Sequence, residues 1–486
     1  MRRFTVVLLV LFALSFTASF LHAADADAVT VLKGARIIDG TGNPPIENGA
    51  IVIKGNQITA VGPAAEIKTP KGAQVIDVSG KTIMPGLISA HSHLGVMLKG
   101  VQRADAYTRE NVMDSLNQYE QYGVTSMMSL GVNRDLIYDI REEQRAGKLG
   151  GATVFPADRG FGVPNALPPF KLAPDQMYRP ATPEEARKLV REAAARHPAF
   201  LKIWVDDGFG QFKKMDPAVY KAVIDEGHKH KLKVAAHVFY LADARQLVAD
   251  NVDVLAHSIR DLPVDQELIS SMKAKGTWYI PTLSVDQSFF YFADNANWRQ
   301  DQFLNAALSP EVKAIFNDPD YKAKTDANPI VAKCRAALVQ GMKNYKTLND
   351  AGVKLGFGTD SGAAPPSRIP GWSEHNELGL MVATGMTPLR AITIATGETA
   401  KLIGIKDRGT LQKGKRADLV VLAANPLDNI GNTKTLVVIY HDGRKITPRA
   451  SAPAVAKSLP LPGADAVALY SAAMAVGPIE DVCETR

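Results

Sequence analysis

Short apolar runs alternate with amphipathic stretches through the middle of the chain. Eight runs read as strands, at residues 82–93, 124–130, 153–156, 200–205, 234–239, 254–258, 278–283 and 354–360. They are apolar without clean alternation, as expected of strands covered on both faces. Helical patterns lie between several of them. In 182–196, Thr182 takes the N-cap and Pro183 the first helical position, and 386–403 opens the same way on Thr387 and Pro388. Strand and helix in alternation predict a parallel sheet. Eight repeats across residues 83–405 predict an α/β fold, a (β/α)8 TIM barrel, which needs ~250 residues before insertions. Residues 157–180, rich in Pro and Gly, and 285–350, helical and polar, read as insertions that follow strands.

The two ends carry a different pattern. TVLKGARIIDG and GAIVIKGNQITAVG place branched residues between glycines, and Gly55-Asn56 reads as a hairpin turn. Similar β segments return within 417–446, in ADLVVLAANP and TLVVIYHDGRKI. Residues 28–82 and 406–450 are therefore expected to form one small β-sandwich domain built from both ends of the mature chain. Residues 451–486 form a tail rich in Ala and Pro, which either docks on the barrel or packs on a second subunit of a homo-oligomer.

Ahead of all this stands a stretch that reads as an address. Arg2 and Arg3 precede an apolar run from Phe4 to Phe20, and Ala23 and Ala24 follow. Residues 1–24 read as a signal peptide, so the mature protein is expected to be exported, periplasmic or secreted, and free of the membrane. The 486 residues carry a net charge of +6, of which Arg2 and Arg3 account for two, leaving +4. No basic stripe with interleaved aromatics occurs, so nucleic-acid binding has no electrostatic support. Apolar and charged fractions of 46% and 22% exclude a disordered or fibrous chain. The two cysteines, Cys334 and Cys483, exclude a disulfide scaffold and leave either one bridge or two inert thiols.

Titratable residues gather at the C-terminal ends of the central runs, where barrel active sites are built. His91 and His93 end one, Lys202 sits in another, and His237, His257 and Asp360 close three more. Residues i and i+2 of a strand share a face, so the imidazoles of His91 and His93 converge as a divalent metal requires. Each also has a bland reading: His91 and His93 as polar residues at a strand end, His237 and His257 as core histidines, Asp360 as a turn residue, and Lys202 as a lysine snorkelling to the strand end. Lys202, between Leu201 and Ile203, puts an ammonium where water is excluded, which is costly unless it is paired or neutral. A deprotonated amine there can add CO2 and become a carbamate, an anion that could bridge two cations. The chain has only 10 histidines, so four of them at strand ends form a constellation rather than a scatter.

At these residues the sequence resembles the amidohydrolase superfamily, in the branch of imidazolonepropionase-like proteins and Xaa-Pro dipeptidases. The resemblance covers roughly residues 30–447 and rests on the order of PGLISAHSHL, Lys202, His237, His257, Asp360 and the closing GTLQKGKRADLVVL. It implies two divalent metal ions, zinc by default from the donor set. His91, His93 and Asp360 would hold one ion, His237 and His257 the other, with carboxylated Lys202 as the bridge. It further implies hydrolysis of an amide bond in a small-molecule substrate, such as a dipeptide or an N-acyl amino acid. Water acidified between the ions would attack the carbonyl, and Asp360 would act as base and then acid. A lactonase or cyclic-amide hydrolase on the same centre, a mononuclear deaminase and a non-catalytic relative remain the alternatives.

The sequence departs from the family pattern in two places. Ser89 stands where relatives often have the aspartate of PGLID, so altered hydrogen bonding behind the metal ligands is expected. Where peptidase-like relatives often carry tyrosine two residues after the histidine matching His237, Phe239 stands, followed by Tyr240. Tyr240 and Arg260 are the candidate substrate contacts. Arg260 has a planar fork suited to a carboxylate, against a bland reading as a surface ion pair with Asp261 or Asp265. His375 and Glu377 are expected either to be structural or to support the metal ligands from behind.

Overall fold

The computed structural model describes residues 28–452 apart from Phe170. The expected signal peptide, the tail beyond Ala452 and Cys483 lie outside the described residues.

Eight parallel strands are interleaved with helices in the central region, a TIM-barrel-like α/β arrangement. They fall into a sheet of three (Thr153–Pro156, Val124–Ser129, Leu87–Ser92) and a sheet of five. The five are Phe200–Trp204, Lys233–His237, Val254–Ala256, Trp278–Ile280 and Lys354–Leu355. Backbone hydrogen bonds cross both gaps between the sheets. Ala90 N donates to Phe357 O at 2.7 Å on one side, and Ala199 N to Pro156 O at 2.7 Å on the other. Isolated parallel bridges, Ser92 with Ser361 and Phe161 with Ile203, extend the two contacts.

Capping chemistry sets the helices as read. Thr182 accepts from Glu185 N at the head of Pro183–Ala194. Removing such a cap costs about 1 kcal/mol. Thr387 caps Pro388–Thr393 likewise, but the helix expected to run on to residue 403 widens into a π turn over Ile394–Glu398. There the Thr399 hydroxyl donates to Ile394 O five residues back.

The run read as one strand over 82–93 is two. Thr82–Pro85 pairs with strands of the chain ends, and Leu87–Ser92 enters the parallel sheet. The break falls at Gly86, where a Cβ would lie 2.4 Å from the Thr125 side chain. Pro85, which has no N–H to give a ladder, precedes it.

Both chain ends meet in one eight-stranded sheet. Val29–Ile37, Ile46–Lys54, Gln57–Pro63, Gln74–Asp77 and Thr82–Pro85 join Leu419–Leu422, Leu436–His441 and Arg444–Ile446. Leu32, Ile51, Ile83, Leu419 and Val421 form a core of their own there. A buried polar seam also ties this sheet to the parallel strands. Arg408 reaches Thr153 and Asp418, and His441 reaches Glu120. Among the described residues no helix is long and apolar enough to cross a membrane.

Candidate active site

Strand alternation and close backbone approach assemble the site. His91 and His93 leave the end of Leu87–Ser92, while the chain after Lys354–Leu355 runs beside them. Thr359 N and Asp360 N both donate to His91 O, and His93 N donates to Ser361 O. Gly362, at φ +84°, lets this approach happen, since a Cβ there would stand 2.1 Å from His93 O. Asp360 and His257 are themselves in the left-handed region, at φ 60° and 74°. Neither residue has the freedom of glycine, and such backbone strain persists where the surroundings impose it, often at functional sites.

All six residues read as ligands converge. Asp360 Oδ1 lies 3.3 Å from His91 Nε2 and 2.9 Å from His93 Nε2. Ligand atoms of His91, His257 and Asp360 lie within 4.8 Å of one another. The His257 ring stands 4.5 Å from that of His91 and 4.2 Å from that of His237, centroid to centroid. Lys202 is fully buried in Phe200–Trp204, its ammonium nitrogen 5.3 Å from the centre of the Trp204 ring.

This cluster is polar and unsatisfied. His91 Nδ1, His93 Nδ1, His237 Nδ1 and Lys202 Nζ are buried with no hydrogen-bond partner. His91 Nε2 is likewise without a partner, and buried polar atoms are normally paired, so these orphans call for a missing group. Imidazole lone pairs and carboxylates are donors for divalent cations, and the residues present fit such ions. Electrostatics favour the ligating forms. Burial, then the charge of Lys202, lowers His91 to about 3. Burial also depresses His237 and His257. Against its own burial, Asp360 is held well below the carboxylate range by Arg368 and by bonds from His91 and His93. Burial lowers Lys202 to about 7, so much of its amine is neutral near neutral pH.

A cavity of about 210 Å3 opens over the cluster. His93, His237, His257 and Asp360 form its floor, and Trp204, Phe209, Phe239 and Phe289 its apolar walls. Arg260 lines it as well. Its bland reading is corrected: the residue is buried, and its Nε lies 3.3 Å from Asp286 Oδ2 rather than near Asp261 or Asp265. Asp265 is engaged by Arg245, and Asp261 accepts from Leu241 N. Tyr240 is not part of the wall. Its hydroxyl donates to Asp207 at 2.7 Å, and Phe239 faces the cavity in its place, as strand alternation requires. His375 and Glu377 are structural as read. His375 bridges Thr433 and Tyr122 O, and Glu377 accepts from Leu283 N and Ser284 N.

Four further residues belong to the site. Asp206 lines the cavity and contacts His237 Nε2 at 2.7 Å. It lies four residues beyond Lys202, on the same face by alternation, a signal present in the sequence. Arg368 donates to Asp360 Oδ2 from a loop without periodicity. Asp286 and Glu374 come from helices whose place against the strands is not a local property. Behind the ligands, Ser89 donates to Glu374 at 3.2 Å, the altered hydrogen bonding expected at that position.

The amidohydrolase family model matches residues 82–447. Ochratoxinase of Aspergillus niger is 25% identical over 447 residues, covering 84% of each chain. Imidazolonepropionase of Geobacillus kaustophilus is 25% identical over 423 residues, covering 81% of this chain and 87% of its own. The crystal structure of a Xaa-Pro dipeptidase with bound methionine in the active site superposes with a TM-score of 0.66 at 24% identity. It covers 86% of this chain and 100% of its own, and it carries the fold alone. The chain thus belongs to the amidohydrolase family, and it is a hydrolase acting on carbon–nitrogen bonds.

Proposed function

We propose that the protein is a binuclear metal-dependent amide hydrolase acting on a small substrate with a free carboxylate and a bulky apolar group. The observation that carries the reading is the set of unpartnered buried nitrogens on His91, His93, His237 and Lys202, with Asp360 among them. His91, His93 and Asp360 would hold one cation, and His237 and His257 the other. Carboxylated Lys202 would lie between them, its negative charge answering the cost of burying a lone amine. Zinc suits the donors best. When bound, the cations supply Lewis acidity, which acidifies water and polarises a carbonyl.

The chain's own groups do the rest. Asp360 takes the proton of the attacking water and delivers it to the leaving nitrogen, acting as base and then acid. Arg368 fixes one oxygen of that carboxylate and leaves the other toward the histidines. The aromatic walls exclude water and hold the apolar part of the substrate. Arg260, buried and facing the cavity, pairs with the carboxylate.

In this reading the eight parallel strands close into a barrel, and the end-to-end sheet packs as a β-sandwich. Residues 1–24 act as a cleaved signal peptide that exports the enzyme. The direct test is a panel of N-acyl amino acids and Xaa-Pro dipeptides assayed with zinc and bicarbonate. Turnover of one class, lost on chelation, is expected. Inactivity across the panel with two zinc ions bound would overturn the substrate class.

A further inference from the structure

The two histidines assigned to the second cation present different ring nitrogens to it. In His257, Nδ1 lies 2.7 Å from Thr282 Oγ1, so Nε2 remains for the cluster. In His237 the order is reversed. Its Nε2 lies 2.7 Å from Asp206 Oδ2, and its Nδ1 is the buried atom without a partner. A neutral imidazole has one N–H and one lone pair. An ionised carboxylate only accepts, so Nε2 carries the hydrogen and Nδ1 the lone pair.

Asp206 is built to hold that arrangement. The residue is only 3% exposed. Its other oxygen, Oδ1, accepts from Gly208 N at 3.0 Å, so both oxygens are engaged and the carboxylate is fixed. Histidines that ligate metals commonly donate their remaining N–H to a carboxylate, which sets the tautomer and raises the basicity of the ligating nitrogen.

Resting on the two-cation reading above, we infer that Asp206 is a positioning residue for the second cation, selecting Nδ1 of His237 as its ligand. Asp206 touches neither the cation nor the scissile bond in this role. The first cation, on His91, His93 and Asp360, is independent of it.

The test is metal binding by the full enzyme, read by chelator competition and elemental analysis, with the cobalt-substituted protein for its visible spectrum. Wild type is expected to hold two equivalents. Asp206→Ala should weaken the second by about 10–100-fold while the first is unchanged, in line with the loss of an outer partner of a metal ligand. Asp206→Asn keeps an oxygen that can accept from Nε2–H, so its second-site affinity should fall between the two. That graded rescue is not expected of a residue that only fills space. Asp206→Ala with wild-type affinity at both sites overturns the inference. Wild type holding fewer than two equivalents overturns the two-cation reading instead. Should the alanine variant fail to fold, Asp206→Asn decides alone: unaltered second-site affinity and an unaltered cobalt spectrum overturn the inference.

Discussion

Ser361 donates its hydroxyl to the Glu374 carboxylate at 2.8 Å, one residue beyond Asp360 and wholly out of water. The same carboxylate accepts from Thr359 at 2.7 Å, from Ser89 at 3.2 Å and from Gly371 N at 2.8 Å. One buried acid thereby ties the strand end bearing His91 to the segment bearing Asp360. Burial raises Glu374, and the bonds from Thr359 and Ser361 pull against it.

Removing that acid strands several donors at once. Asp360 would also lose its fixed neighbours on both sides. Each unsatisfied buried group costs about 1–3 kcal/mol, so Glu374→Ala is expected to lose on the order of 3–5 kcal/mol in urea unfolding. Glu374→Gln keeps one acceptor and should lose less. An alanine variant within about 0.5 kcal/mol of wild type, the range of an ordinary surface substitution, would refute the tie.

Lys202→Ala removes the proposed bridging anion. Turnover should fall by no less than the about 10–100-fold that loss of an outer partner of a metal ligand costs. Short carboxylic acids added to the assay should restore part of it by entering the vacated space. Full activity in the alanine variant would sink the bridging role.

Arg260→Lys keeps the charge and loses the fork. For substrates with a free carboxylate, KM should rise about 10–100-fold, with kcat held within a few fold. Methyl esters of the same substrates should show no difference between the two enzymes. Equal effects on acid and ester would place Arg260 in packing against Phe239, over whose ring it sits at 4.8 Å, rather than in recognition.

The seam between the end sheet and the parallel strands predicts a pH-dependent stability. His441 Nδ1 and Glu120 Oε1 lie 2.6 Å apart. Burial lowers His441, but Asp418 and Glu120 more than offset it, and the group ends up raised above 6.5. Burial raises Glu120, and the bond and charge of His441 reverse it, to below 4.5. A raised histidine stabilises fully below its unfolded value and loses that contribution as pH rises through its folded value. A depressed carboxylate stabilises above its unfolded value and loses it as pH falls through the folded one. The stability gap between wild type and His441→Gln should therefore be widest between about pH 4.5 and 6.5 and narrow on either side. A gap that does not change from pH 5 to 9 would show that the pair contributes no linkage.

Local alternation determined much of this protein from the chain alone. Runs of buried strand type, with caps at Thr182 and Thr387, announce the alternating α/β core. The i, i+2 spacing of His91 and His93 announces convergent ligands, because side chains two apart on a strand share a face. The same rule, applied past the end of a strand, already separates Phe239 from Tyr240. Tertiary structure decided what no local period encodes. The π turn in 394–398 and the split at Gly86 depend on which neighbours crowd those positions. Arg260 meets Asp286 rather than Asp261 because a helix from the long insertion lands over it. Ser89 meets Glu374 across 285 positions of sequence, and that meeting exists only once the strands lie side by side. Periodicity says which face a side chain takes, and only the packing of distant segments says what that face meets.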